Sequence, residues 1–207
     1  MKNTTLLEQT INEAVSHSNA SSYWGNSKFE PIVKLTNDER GKWGESYVYA
    51  LLKDLVGLDV GWDEDANTDA DDGTYDVYVN SPNGKIRIEV KTSGRTVAKG
   101  KPIGWQHENV YYHNNLWDKL FIVDYDSNPD VIYLTILDHD EIVKDGQLDL
   151  TMLGKKGHNR KDVAGKSKVD FSSKTLRLGV EKGLTFVYNV NDPDNEGLTY
   201  FLLDKLQ

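Results

Sequence analysis

The chain has 207 residues, 38% hydrophobic and 28% charged, enough for one domain with a substantial core over residues 1–207. It contains no cysteine, which excludes disulfides and thiolate metal sites, and no apolar run approaches the ~20 residues of a membrane span. A soluble, cytoplasmic protein with no membrane partner is expected. The net charge of −9 argues against a polyanionic partner until its distribution is considered. Residues 1–90 carry 8 basic and 16 acidic side chains, whereas residues 91–181 carry 14 and 13. Two stretches there are strongly basic, "KTSGRTVAKGK" (91–101) and "KKGHNRKDVAGKSK" (155–168). Each suits contact with phosphates or, equally, a solvated loop.

Along the chain, Leu6, Leu7, Ile11, Ala14 and Val15 have helical spacing and predict an amphipathic helix within residues 3–17. A Ser- and Asn-rich irregular segment follows. "TNDERGKWGESYVYALLKDL" (36–55) opens with Thr36 and Glu39 at capping-box spacing and carries an apolar stripe through Trp43, Tyr47, Val48, Leu51, Leu52 and Leu55. Gly41 and Gly44 lie on that stripe and permit close approach, and Glu45 sits at its flank. A strand near 57–62, an acidic loop "DEDANTDADDG" (63–73) and a β-hairpin come next. Beyond the hairpin, "GWQHENVYYHNNLWDK" (104–119) reads as helical or irregular, and 120–124, 131–137 and 184–190 read as strands. This order predicts an α/β domain with a mixed central sheet flanked by helices.

The hairpin "YDVYVNSPNGKIRIEVKTS" (75–93) holds the most pointed pattern. Val77 and Val79 alternate with Ile86, Ile88 and Val90 to make one apolar, inward face. With "SPNG" as a four-residue loop, Asn80 pairs with Lys85 and Asp76 falls directly opposite Glu89, Cβ atoms about 5 Å apart. Lys91 shares the face of Glu89. Facing carboxylates repel unless a cation lies between them. Lys91 serves in part; a divalent ion serves better, since Mg²⁺ takes carboxylates, waters and substrate phosphate oxygens. The bland alternative is a solvated Glu–Lys face on an edge hairpin.

Asp76 followed by Glu89-Val90-Lys91, after a helix bearing Glu45 in "GKWGES", resembles the PD-(D/E)xK nuclease superfamily, the fold of most type II restriction endonucleases. The resemblance covers residues 36–124, with an N-terminal helical extension at 1–35 and added strands and DNA-contacting loops at 125–207. Tyr75 stands where the family's motif often has proline. The resemblance implies a restriction-endonuclease-like core of helix, three strands, helix and strand. It implies Mg²⁺-dependent hydrolysis of phosphodiester bonds in double-stranded DNA, with Asp76, Glu89, Val90 and Glu45 around the metal. Lys91 would orient water or steady charge on the phosphate, and Gln106 would position the nucleophile or touch substrate. Glu45 also reads simply as a partly exposed helix acid. DNA contacts are expected from Ser93, Arg95, Lys99, Lys101, Gln106 and His107, and from Lys155, Lys156, His158, Arg160 and Lys161. Cutting both strands favours a homodimer, with the N-terminal helix either at the interface or packed on its own domain. A cognate DNA methyltransferase acting on the same site is a further expected partner. The alternatives are a structure-selective or repair nuclease of the same fold, a non-catalytic DNA-binding module, and an acidic α/β protein without a nucleic-acid role.

Other patterns carry less. The acidic loop has Thr68 and Thr74 where a calcium loop needs Gly and Glu. The five histidines form no zinc spacing, and "GKKGHNR" lacks the phosphate-loop order. Trp105, Tyr111, Tyr112 and Trp117 read either as base-stacking platforms or as core.

Overall fold

One strand, Lys119–Asp126, is buried from Leu120 to its end, inside a sheet that carries an apolar core on each face. The computed structural model describes residues 3–14, 23–62, 75–99, 101–112, 116–127, 129–145, 147–155, 158–159 and 166–207. The acidic loop at 63–73 lies outside these. The helices are α1 (Asn3–Ala14), α2 (Glu30–Val33), α3 (Asn37–Ala50), α4 (His139–Ile142), α5 (Ser173–Glu181) and α6 (Asn195–Lys205). The strands are β1 (Val60–Trp62), β2 (Val77–Ser81), β3 (Gly84–Gly94), β4 (Thr96–Ala98), β5 (Lys101–Tyr111), β6 (Lys119–Asp126) and β7 (Val131–Asp138). They continue with β8 (Val143–Lys144), β9 (Gln147–Leu148), β10 (His158–Asn159), β11 (Lys166–Phe171) and β12 (Thr185–Asn189).

The protein is α/β, with a mixed six-stranded sheet ordered β1-β2-β3-β6-β7-β12. β3 and β6 run parallel and the other neighbours antiparallel. β7 and β12 extend this sheet, so residues beyond 125 contribute to the central layer itself. A second sheet, β10-β11-β5-β4, packs against one face. Side chains of β6 alternate between the two cores. Phe121, Val123 and Tyr125 join Trp43, Tyr47 and Val48 of α3, Leu6 and Leu7 of α1, and Leu198 and Leu202 of α6. Leu120 and Ile122 join Trp105, Val110, Val169 and Phe171 of the second sheet and Leu176 of α5. Each such fully buried aliphatic or aromatic side chain contributes roughly 1.5–3 kcal/mol. α1 therefore packs on its own domain, its Leu6, Leu7 and Ile11 buried in the first core.

The capping box at the start of α3 forms as the sequence predicts. The Glu39 N–H donates to Thr36 Oγ1 at 3.3 Å, and the Thr36 N–H donates to Glu39 Oε2 at 2.9 Å. The helix runs on through a π turn at Leu51–Leu55. Gly44 sets its height above the sheet: a Cβ there would lie 1.6 Å from Thr92 Oγ1 on β3.

Two expectations need correction. The hairpin turn is the two-residue Pro82-Asn83, closed by a Ser81–Gly84 pair with Gly84 at φ +123°, although the expected Asn80–Lys85 register holds. More consequentially, the stretch read as helical or irregular is largely strand β5, so among the described residues no helix joins β3 to β6. Its two-residue alternation is interrupted where Glu108 and Asn109 together face the single Lys168 of β11. That interruption hides the strand from a periodicity argument.

Gly44→Ala is expected to destabilise the protein by roughly 3 kcal/mol or more, measured by denaturant unfolding, because backbone and Thr92 must both move. Pairing it with Thr92→Gly should restore part of the loss.

Candidate active site

Glu89 and Lys91 alternate along β3 onto the second-sheet face of the central sheet, level with Leu120 and Ile122 of β6. Glu89 is 4% exposed, and the Lys91 ammonium forms a very close ion pair with its Oε1. Asp76 arrives just before β2. Its N–H donates to the Ile88 carbonyl at 2.9 Å, although Ile88 is already the register partner of Val77. The ladder thus ends one residue early, and Asp76 does not pair directly across from Glu89. Instead Asp76 Oδ2 accepts the Val90 N–H at 2.7 Å, replacing the strand partner which that donor lacks beyond the end of β2. Glu45 comes from α3, one residue past the Gly44 contact with β3.

These groups act on one another electrically. Burial raises the Glu89 carboxyl to about 7, opposed by Lys91 and reinforced by Asp76 and Glu45. Burial, then repulsion from Asp76, raises Glu45 to about 7 against the pull of Lys91 and Lys42. Burial alone would lower Lys91, but Glu89, Asp76 and Glu45 more than reverse this, so its pKa stands above the usual lysine value. Lys91 is therefore a firmly held cation rather than a proton acceptor.

A cleft of about 640 Å³ opens over this cluster, lined by Glu45, Val90, Lys91 and Thr92, by Arg40 and Lys42 from α3, and by Gln106, Glu108 and Asn109 from β5. A smaller cavity, about 250 Å³, lies where Arg87 pairs with Asp118 and Lys119 with Asp138; its charges are satisfied internally.

The expected DNA-contacting residues divide sharply. Gln106 is exposed on the cleft, and Lys99 and Lys101 are exposed where β4 turns into β5. Ser93 is buried, its Oγ accepting the Gln106 N–H at 3.2 Å. Arg95 is clamped: it pairs with Asp126, donates to Ser173 Oγ at 2.8 Å and lies over Trp105. His107 is buried against Phe171, its Nε2 3.0 Å from Asp124 Oδ1 but off the line of a hydrogen bond. Burial raises Asp124 while His107 opposes the rise. Ser93, Arg95 and His107 thus serve as internal joints between the sheets. Lys155 is half-buried, His158 lies on β10, and Lys156, Arg160 and Lys161 fall outside the described residues. Trp105, Tyr112 and Trp117 belong to the core, with the Trp105 indole N–H donating to the Tyr125 carbonyl at 2.9 Å. Asp124 was missed from the sequence, although a carboxylate inside the apolar run "LFIVDYD" was its visible signal.

Comparison with known proteins finds no matching family model and no similar curated protein. Among the described residues, no three His, Asp or Glu side chains are already gathered to hold a metal ion. Glu89 is taken up by Lys91, and Asp76 reaches the Val90 N–H. The donor chemistry nevertheless fits a hard cation: Glu45, Asp76 and Glu89 offer carboxylate oxygen only, and both glutamates are raised, by burial first and by the neighbouring acids after it.

Because both glutamates hold protons to about 7 in the folded chain and release them near 4.5 when unfolded, the native state binds more protons in that window. Stability without divalent cations is expected to fall as pH rises from about 4.5 to 7. Glu45→Gln should reduce that fall by on the order of 1–2 kcal/mol, measured as unfolding free energy against pH.

Proposed function

We propose that this protein is a Mg²⁺-dependent endonuclease acting on double-stranded DNA, of the type II restriction kind. The observation that carries the proposal is the cluster itself. A cationic Lys91 stands among carboxylates from β3, from the residue before β2 and from α3, and Lys91 and Glu45 line a cleft of about 640 Å³.

In this reading Glu45, Asp76 and Glu89 hold the cation, with the Val90 backbone beside them. Bound there, Mg²⁺ supplies polarisation of a phosphoryl oxygen and a bound water of lowered pKa. Lys91 keeps its proton and places a fixed positive charge at the cleft floor, where charge builds on the phosphate. Glu45, partly buried on α3, would complete the carboxylate set from the helix side of the cleft. Arg40 and Lys42 line the cleft where flanking phosphates would pass. Cutting two strands calls for two such sites, hence a homodimer joined by a surface other than the buried face of α1. A methyltransferase protecting the same site would complete the system.

One observation favours a second reading, a DNA-binding module without catalysis: Glu89 and Asp76 are each already engaged, by Lys91 and by the Val90 N–H. Plasmid DNA with Mg²⁺ separates the two. The wild type is expected to yield discrete fragments, and Glu89→Gln or Lys91→Ala to lower the rate on the order of 10²-fold or more with little change in DNA binding. Binding without cutting under any divalent cation would leave the module; cutting confined to junctions or damaged duplex would mark a resolvase or repair nuclease. Absence of salt-dependent binding would remove both readings.

A further inference from the structure

We propose that Glu108 and Asn109, set beside Gln106 on β5, read base edges of duplex DNA and determine the sequence preference of the site; this rests on the nuclease reading above. In a regular strand, neighbouring residues point to opposite faces. Here His107 and Val110 are buried, yet Glu108 and Asn109 between them are both exposed, and both line the cleft with Gln106. The cause is a β-bulge. Ser167 pairs with Val110 and Val169 with His107, so the single Lys168 faces two residues of β5. Asn109 adopts φ +55°, a left-handed conformation that glycine enters at no steric cost. Asparagine also tolerates this region, its short amide side chain being compatible with the left-handed backbone. The asparagine adds an amide, held out over the cleft where bulges re-aim side chains.

The chemistry of the row matches base readout. Asparagine and glutamine amides pair bidentately with adenine, and a carboxylate accepts from the amino group of cytosine. Gln106 and Glu108 lie two strand residues apart, about 6.6 Å, close to two base-pair steps at 3.4 Å each. Glu108 is steadied from the neighbouring strand, since Lys168 Nζ lies 3.2 Å from its Oε1.

The test is selection from a pool of random-sequence duplexes by binding, with Ca²⁺ replacing Mg²⁺ and the bound DNA sequenced. The wild type is expected to enrich one defined motif over the random pool. Asn109→Gly keeps the left-handed backbone and should lose about tenfold preference at one position, leaving the others intact. Glu108→Gln should shift preference at a neighbouring position. An unchanged motif in both variants, or a uniform loss of affinity across all positions, overturns the proposal. Binding and cutting by the wild type with no base preference overturns it while sparing the nuclease reading. A wild type that binds no DNA overturns both.

Discussion

An ammonium group folded away from water is tolerated only among carboxylates, and carboxylates crowded together are tolerated only around a cation. Lys91 and its neighbours impose both conditions on one small volume. Glu89 answers Lys91 directly, and burial, reinforced by the crowding of Asp76, Glu45 and Glu89, holds protons on the two glutamates to about 7. In the proposed reading, a hard divalent cation would take the place of those protons. That crowding of acids about one lysine is what distinguishes the cluster from an ordinary buried ion pair and underlies the proposed chemistry.

The fold exists around this cluster in a specific sense. β6 is buried on both faces, so β3 beside it can direct Ile88 and Val90 into one core and Glu89 and Lys91 to the other side. α3 comes close enough for Glu45 to take part only because Gly44 leaves room for Thr92. The second sheet closes the other wall of the cleft, tied to the first through the Ser93–Gln106 hydrogen bond and the His107–Asp124 contact. These polar joints sit inside apolar surroundings, where misplacing one partner is costly. They fix where β5 stands, and with it Gln106.

Much of this was legible in the sequence. The capping box, the apolar stripe of α3, the glycine at its point of contact and the hairpin register all follow from local rules, because short-range chemistry decides them. Asp76 shows the limit: pairing rules put it opposite Glu89, but the strand ended early and its side chain satisfied the Val90 N–H instead. β5 was illegible for a related reason, since one bulge erased the alternation that marks a strand. Arg95 and His107 looked like surface basic residues; only the tertiary fold turns them inward, to Asp126 and Asp124. Local sequence carries no record of which distant acid a cation will meet.

The central claim is that the carboxylates around Lys91 form a proton-linked cation site. Titrating the protein with Mg²⁺ in a calorimeter, in buffers of differing ionisation heat, measures it directly. Near pH 7, where Glu45 and Glu89 are partly protonated, binding should release protons, and Glu89→Gln should diminish both the binding and the release. No detectable binding, or binding that releases no protons and is indifferent to Glu89, would contradict it.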